Sequence, residues 1–143
     1  MGVYNPDNPG HWEIEALHCF IDGKEITDVV KAGYTNDREH TQIETARGIV
    51  GPNVKYARPT FTITVKSTCR ELQHVIDTKN RRDDDYYNNG VVVVIQYDGH
   101  GGALGRKATF PNAWITKVAA SFEEEAPDID IEGWARNCIE EEI

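Results

Sequence analysis

The 143-residue chain is poor in cysteine, in basic residues and in long apolar segments. Cys19, Cys69 and Cys138 are odd in number, widely spaced and form no Cys-x-x-Cys pair, so we expect reduced thiols and synthesis in a reducing cytosol. The longest apolar run, from Val91 to Ile95, is far shorter than the roughly 20 residues of a membrane helix. Residues 1–10 lack the apolar stretch of a secretory signal. The sequence therefore indicates no membrane segment.

The net charge is −9, from 15 basic and 24 acidic residues. A surface that wraps DNA or RNA needs net positive charge, so this balance excludes simple nucleic-acid binding. It is compatible with a surface past which DNA slides without sticking, because carboxylates repel phosphates.

The sequence contains histidines, a glycine-rich stretch and acidic runs, but their spacing matches no catalytic, phosphate-binding or metal-binding motif. The five histidines form no His-x-x-x-His or Cys-x-x-His pattern. The Gly99–Gly102 stretch precedes a predicted strand, whereas a phosphate loop runs into a helix, so a hairpin loop is favoured. The acidic runs Asp83–Asp85 and Glu123–Glu125 lack calcium-loop spacing and are typical of solvated faces. We therefore expect no enzyme, no cofactor and no metal site.

Period-two alternation predicts strands through much of the chain. Trp12 to Ile21 reads as a strand whose even-numbered residues share one face, and after the Asp22-Gly23 turn Lys24 to Lys31 should return beside it. Thr60 to Lys66 is the clearest strand, because buried-type and polar residues alternate throughout it. Val91 to Tyr97 is apolar almost throughout, which predicts burial on both faces.

One helix is predicted, over Thr68 to Lys79. Leu72, Val75 and Ile76 recur at helical spacing, and Thr68 with Glu71 matches a capping box. Asn80 to Gly90 reads as a charged loop.

The last third of the chain reads as further strands and turns. The predicted segments are a Gly-rich turn over Asp98 to Gly105, strands over Arg106 to Ala113 and Trp114 to Phe122 or one long bent strand, an acidic turn, and a final strand over Asp128 to Asn137. Seven or eight strands with one helix indicate a mainly β, mostly antiparallel barrel or sandwich with a flanking helix.

The order of these elements resembles the tail tube proteins of contractile-tailed phages and phage-derived particles, over about residues 12–138. The residues that carry the resemblance are Phe20-Ile-Asp-Gly-Lys-Glu-Ile26, Thr60-Phe-Thr-Ile-Thr-Val65, the lone helix, Ala108-Thr-Phe-Pro-Asn-Ala-Trp-Ile115, and Phe122-Glu-Glu-Glu-Ala-Pro-Asp-Ile-Asp-Ile-Glu-Gly-Trp134.

The resemblance implies a single domain over residues 1–143, with two packed antiparallel sheets and one flanking helix. It implies hexameric rings that stack into the inner tube of a contractile tail, which conducts DNA on ejection. The implied partners are further copies of the chain, the tail sheath, baseplate, tail-terminator and tape measure proteins, and genomic DNA in the lumen. The implied location is the virion tail, assembled in the host cytoplasm.

Two segments are candidates for contacts between subunits. Residues 1–11 read as an extended N-terminal segment, and residues 32–57 are too polar to cover a core alone, so we expect an inter-subunit arm that forms two thin strands or a long hairpin. The charged residues expected to pair between subunits are Arg38, Arg47, Glu123, Glu124 and Glu125. Cys138, near an acidic end, is a possible cross-link between subunits.

Two other functions remain open at this point. A tail-completion or baseplate hub protein of the same fold would form a single ring. A small-molecule-binding β-barrel would be a monomer with an apolar cavity.

Overall fold

Ten strands and two short helices make up the described part of the chain, which in this computed structural model comprises residues 17–45, 48–56, 58–99, 104–119 and 127–143. The helices are α1 (Leu72–Lys79) and α2 (Asp84–Asn89). The mainly β class predicted from the sequence is confirmed. The strands are β1 (Leu17–Ile21), β2 (Lys24–Ile26), β3 (Val29–Thr35), β4 (Arg38–Thr45), β5 (Gly48–Tyr56), β6 (Thr60–Lys66), β7 (Val91–Tyr97), β8 (Arg106–Ala119), β9 (Asp128–Ala135) and β10 (Ile139–Glu142).

Eight of these strands form one antiparallel sheet, and β4 and β5 form a separate two-stranded sheet. The order along the large sheet is β2-β1-β7-β8-β9-β6-β3, and β10 pairs with the first half of β8. The sheet curls, because the rings of Tyr34 in β3 and Phe110 in β8 meet edge to face with centroids 5.8 Å apart, although these strands are not neighbours. The two packed layers expected from the sequence are therefore two sides of one continuous, barrel-like sheet.

The inner face of the curled sheet carries a single apolar core. Phe61, Ile63 and Val65 of β6 are all buried, as their alternation predicts. Phe61 packs against Phe110 with ring centroids 5.3 Å apart, which joins β6 to β8 across the core. Burial of such side chains is the main free-energy gain that holds the two sides of the sheet together.

The predicted return strand over Lys24 to Lys31 is wrong in extent. It divides at Thr27 and Asp28, where Asp28 adopts a left-handed backbone with φ of 57°, a conformation that short polar side chains tolerate. Beyond this bend β3 leaves β1 and pairs with β6, with Val29 opposite Val65. The bend thus sends the chain from one end of the sheet to the other.

The helix prediction is correct in type and at its C-terminal end, but the capping box is wrong. α1 begins at Leu72, and no side-chain hydrogen bond caps it. Instead the Glu71 carboxylate accepts the backbone N–H of Thr27 at 2.7 Å, and the Thr68 hydroxyl donates to Asp28 Oδ2 at 2.8 Å. The two capping residues are used to tie the helix to the β2–β3 bend.

A second helix, α2, lies where the sequence predicts a charged loop. Asp83 is its N-cap, and its carboxylate accepts the backbone N–H of Tyr86 at 3.1 Å. Asp84 and Asp85 occupy the first turn, where carboxylates are favoured by the helix dipole. Gly90 ends the helix with φ of 65°. The acidic run therefore initiates a helix.

Strand β7 is not buried on both faces, contrary to the prediction. Val91, Val93 and Ile95 are buried, whereas Val92 is 43% exposed and Val94 is partly exposed. Burial therefore alternates along β7 although its sequence is apolar almost throughout, because only one face of the strand contacts the core.

The C-terminal strands agree with the prediction in part. β8 is one long strand, one of the two forms the sequence allowed, and it continues through Pro111 and Asn112 with a register shift between Ile115 and Lys117. β9 ends at Ala135, and the unpredicted β10 follows after a short interruption. β9 and β10 pair with successive halves of β8.

The polar segment 32–57 is only partly separate from the large sheet. Ala32 to Thr35 belong to β3 and pair with β6, so the predicted start of the arm is wrong. β4 and β5 then form a hairpin, one of the two forms the sequence allowed. Whether this hairpin contacts another subunit stays a prediction.

Candidate functional site

Of the charged residues expected to pair between subunits, one lies within the described part of the chain. Arg38 is the first residue of β4, in the separate hairpin. Arg47, Glu123, Glu124 and Glu125 lie outside the described residues. Their pairing across a subunit boundary stays a prediction.

Cys138 lies partly buried between β9 and β10, against the edge of the core. Burial, with a smaller contribution from the charge of Glu140, raises the pKa of its thiol to about 11. Because the thiolate is the reactive form, such a shift slows disulfide formation near neutral pH. Cross-linking through Cys138 stays a prediction, and the protein's own electrostatics oppose it.

Clusters of ionisable side chains in the described ranges are surface ion pairs. His18 lies between two carboxylates, with Nε2 3.0 Å from Asp98 Oδ2 and Nδ1 3.4 Å from Glu25 Oε2.

In the part of the chain that the structure describes, no three His, Cys, Asp or Glu side chains converge as metal ligands. In that same part, no helix has the length and apolar character to cross a membrane.

The ends of the large sheet present strand edges to which another chain can add. Within the described ranges, β2 pairs only with β1, and β3 pairs only with β6. From Trp114 onward β8 pairs with β9 on one side and, among the described strands, with none on the other, where the Tyr86 hydroxyl accepts the backbone N–H of Ile115 at 3.1 Å. Unpaired backbone N–H and C=O groups on such edges form hydrogen bonds readily with a further strand.

A groove runs along the seam where β3 approaches β1 without pairing with it. It encloses about 590 Å³ and is walled by β1, β3 and the adjoining ends of β7 and β8. Lys31, Arg106 and Lys107 line it together with mainly apolar side chains. The residues that line the apolar part include Leu17, Val30, Ala32, Ile95 and Ala108.

Tyr34 closes one side of this groove. Its hydroxyl donates to Glu140 Oε2 at 2.9 Å, which ties β3 to the C-terminal strand. Burial, followed by the hydrogen bond to Glu140, raises the pKa of Tyr34 to about 12. Asn36 donates to the other oxygen of Glu140 at 2.6 Å, so this carboxylate is held by two partners.

The outer face of the same strands carries an apolar row. Register places Phe20 beside Val94, Val94 beside Thr109, and Thr109 beside Ile139, across β1, β7, β8 and β10. Val92, on the same outer face, is 43% exposed and Ile139 is 49% exposed. Sequence reasoning missed this row, because its members lie on four strands and only the pairing brings them together.

These features suit association with other polypeptides. Free edges supply backbone hydrogen bonds, while the groove and the apolar row supply surface that gains free energy when covered. The described residues thus assemble contact surfaces on one large sheet.

The fold is shared with solved proteins of contractile injection systems. At 11% identity and a TM-score of 0.62, the chain is similar over 89% of its length to 88% of a chain in the sheath–tube complex of an extracellular contractile injection system. At 12% identity and a TM-score of 0.61, it is similar over 90% of its length to 94% of a chain in the sheath/tube terminator of such a system. No protein-family model matches the chain, and no curated protein sequence matches it.

A third solved protein extends the same comparison. Hcp1 from Flavobacterium johnsoniae is 17% identical, with a TM-score of 0.52, and the match covers 90% of this chain and 98% of Hcp1. At these identities the likeness shows the fold. The fold that the sequence resemblance implies is therefore confirmed.

Proposed function

We propose that this chain is the structural subunit of the inner tube of a contractile tail or contractile injection particle. The observation that carries the proposal is the shared fold with a chain of a sheath–tube complex, over nearly the whole length of both chains. The free edges of β2, β3 and β8 support it, since a closed ring removes such edges by pairing them between copies.

In this proposal the subunits form hexameric rings that stack into a tube inside a contractile sheath. The number six comes from the resemblance to tail tube proteins. The surface that faces the lumen is acidic in this proposal, in keeping with the net charge of −9 of the chain. Such a surface repels the phosphates of DNA that moves through the tube. The partners are the sheath, baseplate, terminator and tape measure proteins, and the particle is assembled in the host cytoplasm.

A second candidate is a terminator that forms one ring at the end of a tube. The observation in its favour is the similarity to the sheath/tube terminator, whose TM-score of 0.61 is close to that of the sheath–tube chain. A tube-terminating cap of the anti-feeding prophage is also similar, with a TM-score of 0.56 and 11% identity. A terminator forms a ring on which a second ring does not stack.

Light scattering after size-exclusion chromatography separates these functions. A ring has six times the 16.1 kDa mass of the chain. The tube function predicts such rings together with larger multiples that grow with protein concentration. A terminator gives rings alone at every concentration, and a monomer at high concentration contradicts both proposals.

A further inference from the structure

A stacked pair of tryptophans lies on the outer face of β8 and β9. Trp114 and Trp134 are directly opposite in the strand register, and their rings stack with centroids 4.6 Å apart. The guanidinium of Arg58 lies 3.8 Å from the centre of the Trp134 ring, and that of Arg136 lies 5.3 Å from the centre of the Trp114 ring. Together with the 79% exposed Tyr87, these four residues form what we name the Trp–Arg surface.

Helix α2 holds this surface in place. The indole Nε1–H of Trp114 donates to the backbone carbonyl of Tyr86 at 2.6 Å. The Nη2 of Arg136 donates to the carbonyl of Asn88 at 2.8 Å. A shallow depression of about 540 Å³ lies among α2, the two tryptophans and Arg136. Side chains fixed in this way lose little entropy when a partner binds.

The two arginines are available to an acidic partner. Among the residues whose side chains the structure describes, which exclude 38–57, no carboxylate lies within ion-pair distance of Arg58 or Arg136. In contrast, Arg81, Lys66 and Lys117 each have an acidic partner at 2.8 to 3.5 Å. A stacked guanidinium keeps N–H donors free for bidentate contact with a carboxylate. Tryptophan, tyrosine and arginine are also the residues that dominate protein interfaces.

We propose that the Trp–Arg surface binds β10 of a second copy of this chain. β10 and the residue after it read Ile-Glu-Glu-Glu-Ile, with Ile139 49% exposed and Ile143 61% exposed. Alternation along β10 places Ile139, Glu141 and Ile143 on one face and Glu140, which Tyr34 and Asn36 hold, on the other, so Glu141 is the carboxylate available to the arginines. The isoleucines of this strand supply apolar surface to cover the tryptophan pair.

Geometry requires that β10 come from another copy. Within one chain, β10 is fixed to the first half of β8, with Ile139 opposite Thr109. Trp114 lies about 16 Å further along β8 at roughly 3.3 Å per residue. The contact joins two different surfaces, so it is heterologous and generates rings or open filaments. The inference rests on the proposed function for its biological context, and it names the contact through which copies associate.

Charge reversal with mixing tests this contact. One variant carries Arg58→Glu and Arg136→Glu, the other carries Glu141→Arg, and the control carries Arg70→Glu and Arg82→Glu at two other exposed arginines. We expect each interface variant alone to need at least about tenfold more protein for assembly, measured by light scattering, while the control assembles like the wild type. Circular dichroism verifies that all variants are folded.

The equimolar mixture of the two interface variants gives the decisive result. When the two variants alternate, the reversed arginine surface of one meets the reversed β10 of the other, and the remaining contacts are the wild-type pair, so every contact is complementary and assembly is restored. If wild type assembles and the mixture does not, or if the interface variants assemble like the control, the inference is overturned while the tube function stands. If wild type does not assemble at any concentration, both fail.

A nucleic-acid role for the same surface is the competing outcome. It is measured with a fluorescent single-stranded oligonucleotide at low salt. We expect no binding by the wild type, because its net charge is −9. Oligonucleotide binding that is lost with Arg58→Glu and Arg136→Glu, with self-association unchanged, overturns the proposal.

Discussion

Single positions show which parts of the sequence pattern determine the core. In β6, strict alternation of polar residues with Phe61, Ile63 and Val65 identifies the buried face correctly. In β1 the buried residues are Cys19 and Ile21. The alternation in the sequence groups the even-numbered residues on one face, and in the structure His18 and Phe20 of that face lie on the outer side of the sheet. Both faces of β1 carry apolar residues, and a shift of one residue exchanges the faces of a strand, so the sequence leaves the choice open.

Replacement of Ile63 by alanine should destabilise the protein substantially. The side chain is completely buried, so the change leaves a cavity and costs about 2–5 kcal/mol of the free energy of unfolding. Thr62→Ala, at the neighbouring position on the outer face, is the matched control. Urea denaturation followed by tryptophan fluorescence measures both, and a loss at Ile63 no larger than that of the control contradicts the assigned core.

The thiol of Cys138 should react slowly in the folded protein. Its pKa of about 11 lies above the ordinary value of 9.0, so folding favours the protonated thiol and the thiolate is scarce at pH 8. We expect alkylation by iodoacetamide at pH 8 to be much slower in the folded protein than in urea, and to accelerate as the pH rises toward 11. Mass spectrometry of the Cys138 peptide measures the rate. Equal rates in the folded and unfolded protein contradict the assigned environment.

At the scale of elements, the sequence predicts those whose signals are local. The β6 strand and the C-terminal end of α1 follow from side-chain period alone. The capping box fails because Glu71 and Thr68 bind the Thr27–Asp28 bend, a contact that is distant in sequence. α2 was missed although Asp83 and Gly90 are an N-cap and a C-terminal glycine, because the charged run between them lacks apolar periodicity.

Asp83 should make the stability of α2 depend on pH. Its hydrogen bonds with Arg81, and next with the backbone N–H of Tyr86, lower its pKa from 3.8 to about 2. A carboxylate with a lowered pKa stabilises the folded state above its unfolded pKa, and this contribution is lost as the pH falls from about 3.8 toward 2.

Two substitutions separate the roles of this carboxylate. Asp83→Asn keeps an N-cap acceptor without the charge, whereas Asp83→Ala removes both. The melting temperature of the wild type should fall further between pH 5 and pH 2 than that of either variant. At pH 5 the alanine variant should have the lowest melting temperature of the three proteins. Equal pH profiles for all three proteins exclude the assigned role.

At the scale of the whole molecule, pairing between distant strands determines most of the architecture. The order β2-β1-β7-β8-β9-β6-β3 places β1 beside β7 and β6 beside β9, and no local period predicts these pairings between strands that are distant in the chain. The outer apolar row and the Trp–Arg surface arise from the same pairing, so sequence reasoning missed both. Resemblance in the order of elements predicted the fold where residue patterns alone gave only its class.

The β4–β5 hairpin is the clearest target for a change to the whole assembly. Thr35 pairs with Thr60, so the ends of β3 and β6 lie side by side and a short Gly-Ser turn can join Asn36 to Arg58. The shortened protein should fold, because the large sheet and its core remain. We expect single rings or monomers and no long tubes, as judged by light scattering. Normal polymers from the shortened protein show that the hairpin is only a surface loop.

Negative-stain electron microscopy of the purified wild-type protein tests the central claim most directly. The account predicts hollow tubes of uniform diameter, built from stacked rings whose end views show sixfold symmetry, at protein concentrations that favour assembly. Particles that remain monomeric, or fibres without a lumen, under every such condition would contradict it.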